Sequence, residues 1–185
     1  MAEIKVLALV GSLRAASINR KIAELAVDVA SDDVIVTVFE GLAELPFYNE
    51  EIDDSMNPEA AELAPVDALR AAAAAADAAL VVTPEYNGSI PAVVKNAIDW
   101  LSRPFGNGAL KDKPLAVVGG AFGRYGGVWA HDETRKSFGI AGARVVEAVK
   151  LSVPFGTLEG KAPAEHAELV ANLRDAVGKL AAEVG

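Results

Sequence analysis

The sequence predicts an α/β protein: a parallel sheet covered by helices on both faces, in one domain over residues 1–185. Three observations carry that expectation. Short runs of Val, Ile, Leu and Ala alternate with longer segments whose apolar residues recur at helical spacing. The short runs are almost continuously apolar, as in strands buried on both faces. No linker, repeat or shift of composition divides the 185 residues, a length that suits a single core.

Residues 4–10 (IKVLALV) give the first strand, and residues 17–30 a helix with Ile18, Ile22, Leu25 and Val29 on one face. The β-branched run at 33–39 (DVIVTVF) gives the second strand, followed by a polar, Pro-containing loop over 41–56. A helix is expected from Asn57-Pro58, with a break at Pro65, through the alanines of 71–76. Residues 79–83 (ALVVT) form the third strand. The helix expected over 90–102 holds Pro91 in its first turn, where the missing N–H costs nothing. A fourth strand over 113–119, a helix over 127–138, a fifth strand over 144–149 and a closing helix over 164–184 complete the pattern. Leu169, Leu173, Val177, Leu180 and Val184 form the apolar face of that last helix.

Composition narrows the chemistry. Lys and Arg number 17 against 26 Asp and Glu, a formal net charge of −9, which disfavours nucleic acid and anionic membrane as partners. With no cysteine, disulfides, thiol nucleophiles, Fe–S clusters and Cys-ligated zinc are excluded. The two histidines, His131 and His166, do not suggest a metal centre. The first residues lack a basic segment followed by a long apolar one, and no apolar stretch approaches the ~18–20 residues that span a bilayer. The expectation is a cytoplasmic protein.

In an open α/β sheet, ligands bind beyond the carboxyl ends of the strands. The loop after the first strand, residues 11–19, offers short hydroxyl and amide groups from Ser12, Ser17 and Asn19 and the planar cation of Arg14. It opens a helix, whose first N–H groups and dipole favour an anion. Its spacing matches neither Gly-x-Gly-x-x-Gly nor a Walker loop, so a monophosphate fits better than a pyrophosphate. The loop after the third strand, Thr83 to Pro91, is stiffened by Pro84 and Pro91 and turned at Asn87-Gly88. Its backbone can hold a flat heteroaromatic ring, with Tyr86 beside it. The loop after the fourth strand, residues 119–127, has five glycines in nine residues and suits a planar ligand approaching closely.

Other residues have blander readings. His131, beside Asp132 and Glu133, is expected on the surface, and His166 in solvent. Glu50, Glu51, Asp53 and Asp54 lack calcium-loop spacing and suit a solvated loop or a contact with a partner chain. Trp100 and Trp129 suit core or interface. No Gly-x-Ser-x-Gly elbow supports hydrolase chemistry.

Gly11-Ser12-Leu13-Arg14 with Ser17 and Asn19 resembles the phosphate loop of the NADPH-dependent FMN reductase family. Pro84 through Pro91, continuing into Lys95-Asn96-Ala97-Ile98-Asp99-Trp100, is similar to that family's flavin-ring motif, and Leu45-Pro46-Phe47-Tyr48-Asn49 to the loop after its second strand. The likeness covers nearly the whole chain and is strongest toward bacterial quinone, chromate and azo-compound reductases. It implies a flavodoxin-like three-layer sandwich with strand order 2-1-3-4-5 and noncovalent FMN. By position, Ser12, Arg14, Ser17, Ile18 and Asn19 would take the phosphate. Pro84, Glu85, Tyr86, Asn87 and Gly88 would line the isoalloxazine, with main-chain groups of Gly120 and Ala121 on the other side. It further implies NADPH or NADH as co-substrate, a quinone, flavin, azo compound or chromate as small-molecule acceptor, and a homodimer or homotetramer in which residues 45–54 reach the neighbour's site. No catalytic side chain and no metal ligand is assigned, because a flavin carries the hard chemistry itself. Tyr86 or Arg124 would order the acceptor. Two rivals stand: a flavodoxin-type electron carrier without direct NAD(P)H activity, and a flavin-free regulatory or binding module on the same fold.

Overall fold

The computed structural model describes residues 3–185. In chain order it contains β1 (Ile4–Val10), α1 (Ile18–Val29), β2 (Val34–Phe39), α2 (Ala64–Ala75), β3 (Ala78–Val82), α3 (Ala92–Leu101), β4 (Pro114–Ala121), α4 (Val128–Ile140), β5 (Arg144–Pro154) and α5 (Ala167–Ala181). The strands form one sheet in the order β2-β1-β3-β4-β5, and every pairing is parallel.

Alternation along the strands divides the core into two layers. Val6, Ala8 and Val10 of β1 face one side with Leu80, Val82 and Val118, under Ile22 and Leu25 of α1 and Leu173, Val177 and Leu180 of α5. Leu7 and Leu9 face the other with Val81, Leu115 and Val117, under Leu69 of α2, Ile98 and Trp100 of α3 and Phe138 of α4. The central strands are buried on both sides, which explains their unbroken apolar runs.

Several elements depart from the sequence expectations. Helix α2 begins at Ala64, not at Asn57, and Pro65 lies in its first turn rather than breaking it. The preceding segment is held by turns: Asn57 donates its main-chain N–H to the Asp53 carbonyl at 2.7 Å and its side-chain amide to the Glu51 carbonyl at 2.9 Å. Pro91 is the N-cap of α3 rather than part of its first turn. Strand β4 runs on to Ala121, so Gly119, Gly120 and Ala121 belong to the sheet.

Strand β5 continues to Pro154 instead of ending at 149, because a bulge shifts its register: Leu115 faces Val145, but Val117 faces Lys150. The bulge frees carbonyls, and Arg135 answers them. Its buried guanidinium donates to the Val117 and Val149 carbonyls at 3.2 and 3.4 Å and pairs with Asp132 at 2.8 Å. One turn earlier lies His131, fully buried and not on the surface. Its Nε2 sits 3.0 Å from the Thr83 carbonyl and must donate there; Nδ1, 2.6 Å from Ser152 Oγ, therefore accepts. Burial depresses the His131 pKa below its ordinary value of 6.5, with the charge of Arg135 adding to the effect against the Thr83 hydrogen bond, Glu85 and Asp132. His166 is not simply solvated: it caps α5, its Nδ1 accepting the Leu169 N–H at 3.3 Å.

The acidic loop after β2 holds a buried ion pair. Asp53 is fully buried and accepts from Arg70 at 2.8 Å and from the Ser55 hydroxyl at 2.7 Å, while Arg70 also reaches Asp54 and lies 5.6 Å from the Trp100 ring centre. Burial pushes the Asp53 carboxyl up, but the hydrogen bonds from Arg70 and Ser55 outweigh it and hold it below the usual carboxylate range. Asp53 thus secures the loop and is not a solvated or partner-facing group.

Two stability predictions follow from these buried polar groups. Asp53→Asn should lower the unfolding free energy at pH 7 by about 1–3 kcal/mol, because Arg70 loses its charged partner. The folded pKa of Asp53 is depressed, so its contribution is full above 3.8 and lost as pH falls through the lower folded value. Urea titrations should therefore show the gap between wild type and variant closing in acid. For His131 the neutral form is favoured in the folded state, so its contribution is full above pH 6.5 and lost as pH falls toward and through the folded value. His131→Gln, which keeps a donor but does not titrate, should flatten the fall of the urea midpoint between pH 7.5 and 5.5.

Candidate active site at the carboxyl ends of the strands

Three loops meet where β1, β3 and β4 end. The first leaves β1 at Gly11, whose N–H donates to the Val82 carbonyl at 2.8 Å. A Cβ at Gly11 would stand 2.5 Å from Thr83 Oγ1, so only glycine allows the first and second loops to touch here. Ser12 and Ser17 are buried, and Arg14 is exposed with its carbonyl accepting the Ser17 N–H at 3.0 Å. Ser17 occupies the N-cap of α1, yet its hydroxyl makes no capping bond, and the first turn carries no acidic side chain. The hydroxyls, the Arg14 cation and the free N–H groups of that turn, beginning at half-buried Ile18, form a set composed of donors. Such a set suits a phosphate monoester.

The Asn19 side chain has a task beyond the one its position suggested. Its Nδ2 donates to the Gly120 carbonyl at 2.9 Å and its Oδ1 accepts the Gly120 N–H at 2.8 Å, joining α1 to the end of β4. Both main-chain groups of Gly120 are thereby used, so the amide contact expected from Gly120 is not available to a ligand. A side chain at 120 is excluded as well, since its Cβ would lie 2.4 Å from Phe155 Cε1. Ala121, half-buried, ends the strand beside Phe122, which is exposed and meets Phe155 edge-on at 5.2 Å.

The second loop is stiff. Thr83 donates its N–H to Val118 and accepts from His131 on its carbonyl, which fixes the chain entering Pro84. Tyr86 and Ser89 exchange main-chain hydrogen bonds at 3.1 and 3.0 Å around Asn87 (φ 53) and Gly88 (φ 72), a two-residue hairpin whose positive φ angles favour this Asn-Gly pair. The Glu85 carboxylate caps α4, accepting the N–H groups of Trp129 and Ala130 at 3.1 and 3.2 Å. In return Glu133 of α4 accepts the Ser89 hydroxyl at 2.6 Å. Tyr86 and Asn87 remain exposed at the tip.

The sequence reading singled out Ser12, Arg14, Ser17 and Ile18, which lie in the loop after β1 and the start of α1, and residues 84–88, which lie in the hairpin loop after β3. It missed His131 and the capping use of Glu85. Trp100 is in the core as expected, donating to the Pro46 carbonyl at 2.8 Å, whereas Trp129 is exposed. Among the described residues no group of three or more His, Asp or Glu could hold a metal ion, and no helix is long and apolar enough to cross a membrane. The donor set at α1 fits the phosphate of FMN, and the hairpin fits its ring.

Known proteins are similar to this chain. A quinone reductase of Pseudomonas putida is 41% identical over 128 residues, spanning 69% of this chain and 66% of its own length. The quinone reductase of Escherichia coli is 31% identical over 168 residues, covering 91% of this chain and 86% of its own. The flavoenzyme NAD(P)H:(acceptor) oxidoreductase FerB of Paracoccus denitrificans superposes with a TM-score of 0.84 at 28% identity, covering 98% and 97% of the two chains. The model of the NADPH-dependent FMN reductases matches residues 4–157, from the start of β1 past the end of β5 and through all three loops of the crevice, and the chain belongs to that family.

Proposed function

We propose that this single-domain chain passes two electrons from NADPH or NADH, through noncovalent FMN, to a quinone or another electron-poor acceptor such as a flavin, azo compound or chromate. The donor set at the start of α1, facing a rigid hairpin across β1 and β3, carries this reading. Quinone is the acceptor named for the relatives from Pseudomonas putida and Escherichia coli. For a quinone the balance is NAD(P)H + H⁺ + quinone → NAD(P)⁺ + hydroquinone. Bound FMN supplies the ring that takes up a hydride and gives back two electrons.

The chain's own groups bind and orient. Arg14, Ser12, Ser17 and the first N–H groups of α1 neutralise and hold the phosphate. Main-chain groups of residues 84–88 line the ring, on a loop whose position is fixed by His131 below and by the Glu85–α4 cap beside it. Asn19 keeps α1 and β4 at a constant separation, so phosphate and ring sites stay in register. No side chain need exchange a proton with substrate. A reductase of this kind works in the cytoplasm, where the reduced nicotinamide pool is.

A homodimer or homotetramer is part of the proposal. Phe105 and Ile140 are 84% and 76% exposed and border a groove of about 380 Å³ between α3 and α4, and Phe47 projects from the loop after β2. Exposed large apolar side chains at such a density mark an association surface.

An anaerobic visible spectrum tests the central reading: purified yellow protein should bleach on adding NADPH and recover its colour on adding quinone. Retained colour would favour the electron-carrier alternative, and a colourless protein that takes up no FMN the regulatory one. Arg14→Ala should weaken FMN binding about tenfold or more, as one charge-assisted contact does, while bleaching at saturating FMN changes far less. Phe105→Asp together with Ile140→Asp should shift sedimentation toward the monomer.

A further inference from the structure

Beside the hairpin stands a row of three side chains that the binding of FMN phosphate and ring, as assigned above, does not use. Trp129 is fixed at its main chain by the Glu85 carboxylate at 3.1 Å. Its indole is nevertheless 54% exposed, and its Cε3 would lie 3.7 Å from a Cβ at Gly88. The indole therefore lies against the ring-binding hairpin, within ordinary van der Waals reach of residue 88. Tyr125, also 54% exposed, leans on Trp129 with ring centres 5.6 Å apart, and the Arg124 guanidinium lies 5.4 Å from the Tyr125 centre. The Trp129 indole N–H, the Tyr125 hydroxyl and the Arg124 guanidinium have no hydrogen-bond partner among the described residues.

Charge around this row is lopsided. Three carboxylates lie close by, and each is committed. Glu85 accepts from the Trp129 and Ala130 N–H groups, Asp132 pairs with Arg135, and Glu133 accepts from Ser89. Glu85 and Glu133 keep their charge but are held in place by neutral donors, while Arg124 forms no ion pair among the described residues and stands at the rim, on a chain whose net charge of −9 repels anions at longer range. An electron-rich indole and phenol stack well with an electron-poor ring, and a guanidinium at the end of the stack suits an anionic substituent.

We infer that Trp129, Tyr125 and Arg124 form the acceptor subsite, selecting planar, electron-poor rings that carry one ionised group. This inference rests on the reductase reading above and leaves its reaction unchanged.

The test compares 1,4-naphthoquinone-2-sulfonate with 2-methyl-1,4-naphthoquinone, which differ mainly in charge. In steady-state assays Arg124→Gln should lower the preference for the sulfonate, as the ratio of kcat/KM values, about tenfold, and Arg124→Lys should restore much of it. Arg174→Gln removes the same charge from the exposed side of α5 and should leave the ratio unaltered. Calorimetric titration of the oxidised holoprotein with the sulfonate, without any nicotinamide, reads binding apart from turnover. There Arg124→Gln and Trp129→Leu should each weaken the complex several-fold or more. Equal losses for both quinones in Arg124→Gln, an equal effect from Arg174→Gln, or unaltered calorimetric affinity would overturn the assignment. Failure of NADPH to bleach the holoprotein would overturn the reductase reading instead, and the calorimetric comparison would still decide the subsite.

Discussion

At Thr83 the chain leaves β3 with its carbonyl oxygen bonded to His131 of α4, its N–H bonded to Val118 of β4, and its side chain against the bare backbone of Gly11. Gly119 closes on the same residue from β4, since a Cβ there would stand 2.3 Å from the Thr83 oxygen. Parallel strands end at similar heights, but nothing in a parallel sheet brings their following loops together. Here that convergence is enforced by one residue, bonded from a helix behind it and crowded by glycines on both flanks. The α1 side and the hairpin side of the crevice meet at this point, so its geometry sets the distance between them.

The polar connections around it are reciprocal. Glu85 runs from the hairpin to α4, Glu133 runs from α4 to the hairpin, and Asn19 joins α1 to Gly120. Each link satisfies main-chain groups that helix starts and strand ends otherwise leave unmet. The result is a binding edge made of loops yet anchored as firmly as regular structure. It also fixes the orientation of the nearby Glu85 and Glu133 carboxylates, whose accepting oxygens are turned to α4 and to Ser89.

Much of this was legible in the residue order. Strand β1 was recovered to its ends because a run apolar at both parities has one reading, and Asn87-Gly88 announced its turn because few pairs adopt two consecutive positive φ angles. The misreadings have a common cause. His131, Thr134, Arg135 and Phe138 occupy one buried stripe at spacings of three and four, but three of them are polar, and a search for apolar periodicity passes over them. Asp53 looked solvated because its partner, Arg70, is distant in sequence and meets it only after folding. Asn19 has the residue type of a phosphate ligand and the position of one, and only the tertiary structure reveals that β4 claims its amide.

The bulge in β5 has a parity. Two residues along β4 correspond to five along β5, so an odd number of extra residues intervenes, and the orientation of everything beyond is reversed. Before it Val146 points into the α1–α5 layer; beyond it Val149, Leu151 and Val153 do. Ser152 is consequently delivered to the opposite layer, where it holds His131 in the tautomer that serves Thr83. A one-residue insertion or deletion between 146 and 149 would exchange the two layers for the distal strand and leave the imidazole without its donor. The irregularity on the outer strand is thus a phase adjustment for a hydrogen bond two strands away.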